Sequence, residues 1–409
     1  MLFLIKNHFQ ILIFAIITVI FTGLGQTFFI AQFLPNLQLA SGLDRVEISF
    51  VYSLATFFAS FNLTFFGKLI DRTSLVKFSV LTVFGIVLGM NLTAIVTGPI
   101  LAFLGLYCLR SFGQITLGLI VTSFLSRKFG AHRGKALAFA SFGKAIGEGI
   151  LPIVIVSLIA NYSWEKALSI TSIVFLFLSV PLFVYIFNKY DQRPIYEENL
   201  ETVSHKTSLD FEVFSWKQSL NLKYPLITML VNALMPFIMT GIIFQQDKII
   251  EYKEWSQIIM AKAFIGFSLL SLITTLVVGH LIDKYRALNI QPFILLPLLF
   301  ALLIFQYFNG EWVCYAFMAV AAISVSMSSL IRGSFYAEVY GLKALGQIKG
   351  MDSSLTVIGT SVAPLIYSLL LDNGMEIKAL FNILIFLTIV GLVTYAILNK
   401  FYKNLLKRS

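Results

Sequence analysis

Twelve times the chain passes through a run of about 20 or more mostly apolar residues, the length a helix needs to cross a bilayer. The runs fall at about 9–33, 47–67, 76–96, 100–125, 136–160, 166–188, 223–246, 256–279, 289–308, 312–331, 350–371 and 379–399. No soluble interior could hide so much apolar surface. Of 409 residues, 58% are apolar and only 12% charged, against about half and about a quarter in an ordinary globular chain. Lipid offers the backbone no hydrogen bonds, so each run is expected to satisfy its own amides as an α-helix. Lys6 ahead of the first run mimics a signal peptide. No small-residue cleavage site follows and eleven further runs do, so this run is expected to stay as a helix.

The formal charge of +10 would suggest a nucleic-acid partner in a soluble protein. Here the basic residues are sorted by segment instead. With the N-terminus inside, segments 1–8, 68–77, 126–135, 189–223, 280–288, 332–349 and 400–409 hold 22 of the 30 Lys and Arg, and the outside segments hold five. Asp and Glu divide nine and nine. A bias in Lys and Arg without one in the acids is the positive-inside pattern. Both termini are therefore expected in the cytoplasm, with the lipid bilayer, not nucleic acid, as the partner. Cys108 and Cys314 lie in separate apolar runs, and His8, His132, His205 and His280 are scattered, so neither disulfides nor a metal site is expected.

One polar phrase occurs twice, GKLIDR at 67–72 and GHLIDK at 279–284. Gly67 and Gly279 are 212 residues apart, as are Asp71 and Asp283. The same offset aligns AIGEGILP (145–152) with VIGTSVAP (357–364), Gly147 on Gly359 and Pro152 on Pro364. The chain thus reads as two parallel six-helix halves, 1–188 and 223–409, joined by a cytoplasmic linker at 189–222. Pro194 and an acidic run mark that linker, and Leu209, Phe211, Phe214 and Trp216 suit either a short interfacial helix or a disordered loop.

Twelve helices in two parallel halves, with G-x-L-x-D-R after the second run and its echo after the eighth, resemble the major facilitator superfamily over almost the whole chain. GQTFFIAQFLP (25–35), RSFGQ (110–114), RGKALAFASFGKAIGEGILP (133–152) and AEVYGLKALGQIKG (337–350) are similar to its monocarboxylate and oxalate/formate carrier-like branch. The resemblance implies an all-α membrane protein working by alternating access. It also makes the repeated phrase a latch, formed in the outward-open state and broken in the inward-open one. Gating residues are then Gly67, Asp71 and Arg72 in one copy, Gly279, Asp283 and Lys284 in the other. Glycine suits a tight turn there, and a carboxylate is favourable at a helix N-terminus. Alternatively, each phrase is only an anchor that stops a helix. The family pattern has glycine where this chain has Ser74 and Arg286, and Arg where it has Lys284, so the second latch is expected to be the weaker.

Charges kept inside a membrane are costly and mark function. Five lie within the runs: Arg110, Lys144, Glu148, Lys262 and Asp352. Counting residues from the outer ends at 1.5 Å each puts Arg110 at about 16 Å depth and Glu148 at about 20 Å. Arg110 and Glu148 are therefore expected to pair near the midplane, with Lys144 one turn from Glu148 on the same face. Glu148 would exchange a proton as its surroundings change, and Arg110 would hold an organic anion as a planar fork. The bland alternative is an ion pair stapling two helices. The resemblance supports Arg110 and Glu148, since related carriers show R-x-x-G-Q in the fourth helix and G-E in the fifth. Lys262 either attracts anions or anchors at the surface. Asp352 is expected to join the cytoplasmic closure with Lys349. Helices one, four, seven and ten line the cavity in that family, which adds Gln26, Gln114, Asn232, Ser324 and Ser328 as cargo contacts, each equally able to serve helix packing.

The basic residue in the first helix and the Asp–Arg pairing in the eighth that such monocarboxylate porters carry are absent. No nucleotide loop appears, and no Ser–His–Asp or metal cluster, so neither ATP use nor an enzyme is expected. The expected activity is secondary active transport of a small organic solute, an organic anion, with protons as the driving force and no cofactor. The alternatives are a drug/proton efflux antiporter, suggested by Gly143, Gly147, Gly149 and Pro152, or a non-transporting sensor on a carrier scaffold. A monomer spanning a bacterial inner membrane is expected.

Overall fold

A computed structural model describes residues 2–190, 223–341 and 345–408. Every described element is helical. Twelve helices are long and apolar enough to cross a membrane: α1 His8–Gly25, α2 Arg45–Ile70, α3 Leu75–Ala94, α4 Pro99–Phe129, α5 Arg133–Asn161, α6 Trp164–Tyr190, α7 Tyr224–Phe244, α8 Gln257–Tyr285, α9 Ala287–Tyr307, α10 Glu311–Tyr340, α11 Gln347–Asp372 and α12 Ile377–Leu405. The protein is a multi-pass membrane protein. The chain divides into two compact units, Met1–Glu201 and Thr202–Ser409. The linker helix considered at Leu209, Phe211, Phe214 and Trp216 lies outside the described residues.

Local chemistry sets the helix ends. Asp44 and Glu47 form a capping box at the start of α2, each carboxylate accepting from the other's backbone N–H at 2.8 and 2.9 Å. Ser74 caps the start of α3 through the Lys77 N–H. Gly341, at φ 72°, closes α10. That closure lies well past residue 331, where hydropathy alone would end the helix, and it carries Arg332 into the helix.

The two units pack alike. In the first, α1 lies on α5, α2 on α4 and α3 on α6; in the second, α7 lies on α11, α8 on α10 and α9 on α12. The pairing is preserved under a shift of six helices, the structural counterpart of the 212-residue repeat. Gly143 and Gly147 let α5 press against the α1 backbone, since a Cβ at Gly147 would fall 2.9 Å from the Ile20 carbonyl oxygen. Phe14, Phe124, Phe183 and Phe187 close the core among α1, α4 and α6 with ring centroids 5.0–6.0 Å apart. Phe57, Phe58, Phe61 and Phe65 on α2 are exposed, as a lipid-facing surface requires.

Candidate functional site

The first unit holds a cavity of about 310 Å³ where α1, α4 and α5 meet. Its polar groups include Gln26, Gln114, Lys144 and Glu148, and its walls include Val19, Phe28, Val121 and Leu137. Two irregularities in the backbone build it. The end of α1 tightens into a 3-10 turn at Gly23–Gly25, and Gln26 is then extended at φ −89°, ψ 156°. Facing it, Leu109–Thr116 of α4 is π-helical, with the Thr116 hydroxyl donating to the Ser111 carbonyl five residues back at 2.7 Å. The two segments touch through glycine. A Cβ on Gly113 would lie 2.8 Å from the Gly25 nitrogen, and one on Gly25 would lie 2.9 Å from the Gly113 carbonyl carbon. The irregular turn brings Gln26 to the cavity that α5 also lines, where Lys144 and Glu148 sit one turn apart with 3.8 Å between Nζ and Oε1. Glu148 is 8% exposed, while the Lys144 side chain is more than half exposed. The ammonium is thus open to its surroundings, whereas the carboxyl is buried.

Arg110 does not join them. Its Nε donates to the Thr56 hydroxyl at 3.1 Å and its Nη1 to the Gly25 carbonyl at 2.9 Å. The guanidinium lies 5.3 Å from the Tyr52 ring centroid, a cation–π distance, and the Tyr52 hydroxyl shares a 2.8 Å hydrogen bond with Thr27. Arg110 is 2% exposed, and among the described residues no carboxylate pairs with it. Within the π-helical stretch Gln114 lines the cavity, while Arg110 reaches Thr56 on α2.

The second unit holds a polar cluster that the sequence reading missed. Asp352 on α11 accepts two hydrogen bonds on one oxygen from Arg332 on α10, through Nε at 2.9 Å and through Nη2. Its other oxygen accepts from Tyr336 at 2.7 Å and from Asn232 at 3.1 Å. Tyr395 on α12 donates to the Asn232 amide oxygen at 2.7 Å, and Arg332 also reaches Thr356. Asp352 therefore closes on Arg332, not on Lys349, and Asn232 is engaged by this cluster. The available signal was the stretch LIRGSFYAEVY, whose apolar residues continue past Arg332 to Tyr340. Arg110 already sits within an apolar run, and Arg332 belongs to the same class of residue.

Other expected site residues are placed as follows. Ser324 is spent on α9, donating to the Ile294 carbonyl at 2.6 Å and accepting from the Leu298 N–H at 2.8 Å. Ser328 is buried with no hydrogen-bond partner among the described residues, and Lys262 is exposed on α8. Gly67 and Gly279 lie inside helices, not in turns, and a Cβ on either would meet nothing within 4 Å. The Asp71 side chain lies outside the described residues, while Arg72, Asp283 and Lys284 are exposed. The carboxylate that does serve a helix N-terminus here is Glu338 of α10. It accepts from the Ala287 and Leu288 N–H groups at 2.7 and 3.1 Å, where α9 begins.

Among the described residues no cluster of His, Cys, Asp and Glu could hold a metal ion. The sequence model of the Major Facilitator Superfamily matches residues 15–364. No curated protein sequence matches the chain. Similar solved structures include a bacterial homolog of the human lysosomal transporter Spinster, in an inward-facing and unoccupied conformation. It aligns with TM-score 0.67 and 12% identity over 97% of this chain and 96% of that one. Another is the nucleoside transporter NupG, with TM-score 0.65 and 13% identity over 95% of this chain and 98% of that one. A point mutant of NupG gives the same score and identity over 97% and 98%. At these identities the likeness is one of fold.

Proposed function

The chain belongs to the major facilitator superfamily, and from that premise we propose that it is a secondary transporter that moves a small organic acid together with a proton by alternating access. The observation that carries this reading is a buried carboxyl, Glu148, lining an open cavity with an exposed ammonium, Lys144, 3.8 Å away. Net charge at this depth costs several kcal/mol. The resting pair is neutral. An entering carboxylate competes for Lys144 and leaves Glu148 a lone buried anion, so entry is favourable when Glu148 takes a proton. The occupied cavity is then neutral again, with one solute anion and one proton added. Release reverses both steps, which ties solute to proton one to one. Gln26 and Gln114 offer donors to the acid group, and Val19, Phe28, Val121 and Leu137 suit an apolar body.

The same apolar walls suit a lipophilic cation leaving in exchange for protons, which makes an efflux antiporter the second reading. Reconstituted protein with an entrapped pH dye separates them. An organic acid gradient moves protons with the solute in the first case, and a lipophilic cation gradient moves them against it in the second. For the favoured reading, Glu148→Gln is expected to abolish uphill accumulation of the acid while sparing exchange of labelled for unlabelled solute. Unchanged accumulation in Glu148→Gln would remove Glu148 from the coupling step.

A further inference from the structure

The hydrogen-bonding groups of the cavity constrain the solute beyond its acid group. Three hydroxyls line it, and each spends its donor on its own helix: Thr22 on the Val19 carbonyl at 2.6 Å, Thr122 on the Gly118 carbonyl at 2.9 Å and Ser141 on the Ala138 carbonyl at 2.7 Å. Each keeps only an oxygen that accepts. The donors that remain are the Lys144 ammonium and the carboxamides of Gln26 and Gln114, whose side chains make no hydrogen bond among the described residues. These carboxamides start side by side, since a Cβ on Gly25 would run into the Gln114 nitrogen. Each brings a carbonyl oxygen along with its NH2 group, so acceptors outnumber donors in the cavity. An ionised carboxylate only accepts. It takes Lys144 and one NH2 group but leaves both carboxamide oxygens bare once the cavity closes and water is excluded, and a bare buried acceptor is costly.

The solute must therefore bring a donor of its own. An ammonium group would claim Glu148 and leave the proton no place in the cycle. A hydroxyl answers one carboxamide oxygen and offers only a weak acceptor in return. A secondary amide is uncharged and holds an N–H and a carbonyl in one rigid plane. It gives the N–H to one carboxamide oxygen and accepts from the other carboxamide's NH2, so both glutamines are met at once. We propose that the solute is an organic acid that carries a secondary amide, as an N-acyl amino acid does. Its carboxylate goes to Lys144, its amide to the Gln26 and Gln114 pair, and its apolar side chain to Val19, Phe28, Val121 and Leu137. This rests on the reading of the cavity as the place where an acid meets Lys144 and Glu148.

Isothermal titration calorimetry on the purified full chain, at a single pH, compares probes that share one branched side chain. N-acetyl-leucine has the amide, N-acetyl-N-methyl-leucine lacks its N–H, leucic acid has a hydroxyl instead, and isocaproate has neither. N-acetyl-leucine is expected to bind about fivefold or more tightly than each of the others. Gln26→Leu and Gln114→Leu are each expected to narrow that preference to about twofold or less. Equal or tighter binding of leucic acid, isocaproate or the N-methyl compound by wild type overturns the amide assignment, and this comparison stands even where a variant fails to fold. A preference undiminished in both variants also overturns it. Proton flux with the same probes is measured in proteoliposomes. The binding preference without proton flux defeats the transport reading and leaves the amide assignment standing. Flux driven as readily by isocaproate as by N-acetyl-leucine defeats the amide assignment alone, and no binding of any probe defeats both.

Discussion

Two buried carboxyls in this protein have opposite surroundings. Asp352 receives four hydrogen bonds, two from Arg332 and one each from Tyr336 and Asn232. A carboxylate offers about four lone-pair sites on its two oxygens, and here all of them are taken. Glu148 has one ammonium at 3.8 Å and faces a cavity, so its environment changes with whatever enters. The difference predicts how each responds to neutralisation. Asp352→Asn leaves Arg332, whose side chain is only 15% exposed, without its counter-charge and is expected to cost about 3 kcal/mol. Adding Arg332→Met removes that cation, and the double variant is expected to regain most of the loss. Thermal unfolding in detergent reads both; a double variant no more stable than Asp352→Asn would show that the unpaired cation is not what destabilises the single one. Arg332 was hidden in the sequence because a charge near the end of an apolar run looks like the start of a loop. Only the helix continuing to Tyr340 reveals its burial.

At the scale of elements, the site exists because α1 and α4 are both irregular at their crossing. The 3-10 turn at Gly23–Gly25 and the π segment at Leu109–Thr116 share a contact that admits no side chain at Gly25 or Gly113. Gly25→Ala places a methyl against backbone atoms, which cannot rotate aside as a side chain would. Overpacking of this kind costs about 1–3 kcal/mol. The variant is therefore expected to unfold at a lower temperature and to lose the Gln26–Glu148 side of the cavity, whereas Gly67→Ala, with open space beside it, is expected to leave stability unchanged. Gly23 and Gly25 stand in the sequence at the end of an apolar run. The π segment is not visible there, because one surplus residue in a helix leaves no mark on composition or hydropathy. Spacing gathers Gln114, Lys144 and Glu148 around one cavity, whereas Arg110 turns to Thr56 and the Gly25 carbonyl, partners that spacing does not indicate. A similar limit applies to α9. Its first N–H groups are met by Glu338 of the following helix, some fifty residues on, a partner that sequence spacing does not single out.

Across the whole molecule, architecture is repeated and chemistry is not. The 212-residue offset reproduces the helix pairings of one unit in the other, yet it carries Glu148 onto Thr360, Lys144 onto Thr356 and Arg332 onto Ile120. Hydropathy and the repeated phrase made the twelve helices and their duplication legible because lipid imposes length and apolarity on every span alike. Nothing comparable constrains which unit keeps an exchangeable carboxyl, so that had to be read from side-chain partners. Orientation is the remaining whole-molecule property. Twenty-two of the 30 Lys and Arg fall in segments at one end of the spans, and moving that many cations across a membrane held negative inside would be opposed. Thr73, between α2 and α3, belongs to the basic end, and Thr97, between α3 and α4, to the other; both are exposed, and the native Cys108 and Cys314 are buried. A membrane-impermeant maleimide added to intact cells is therefore expected to label Thr97→Cys and to reach Thr73→Cys only after the membrane is opened. Labelling of Thr73→Cys in intact cells would invert the orientation, while the acid, which moves together with the proton, would still follow inward proton movement into the cell.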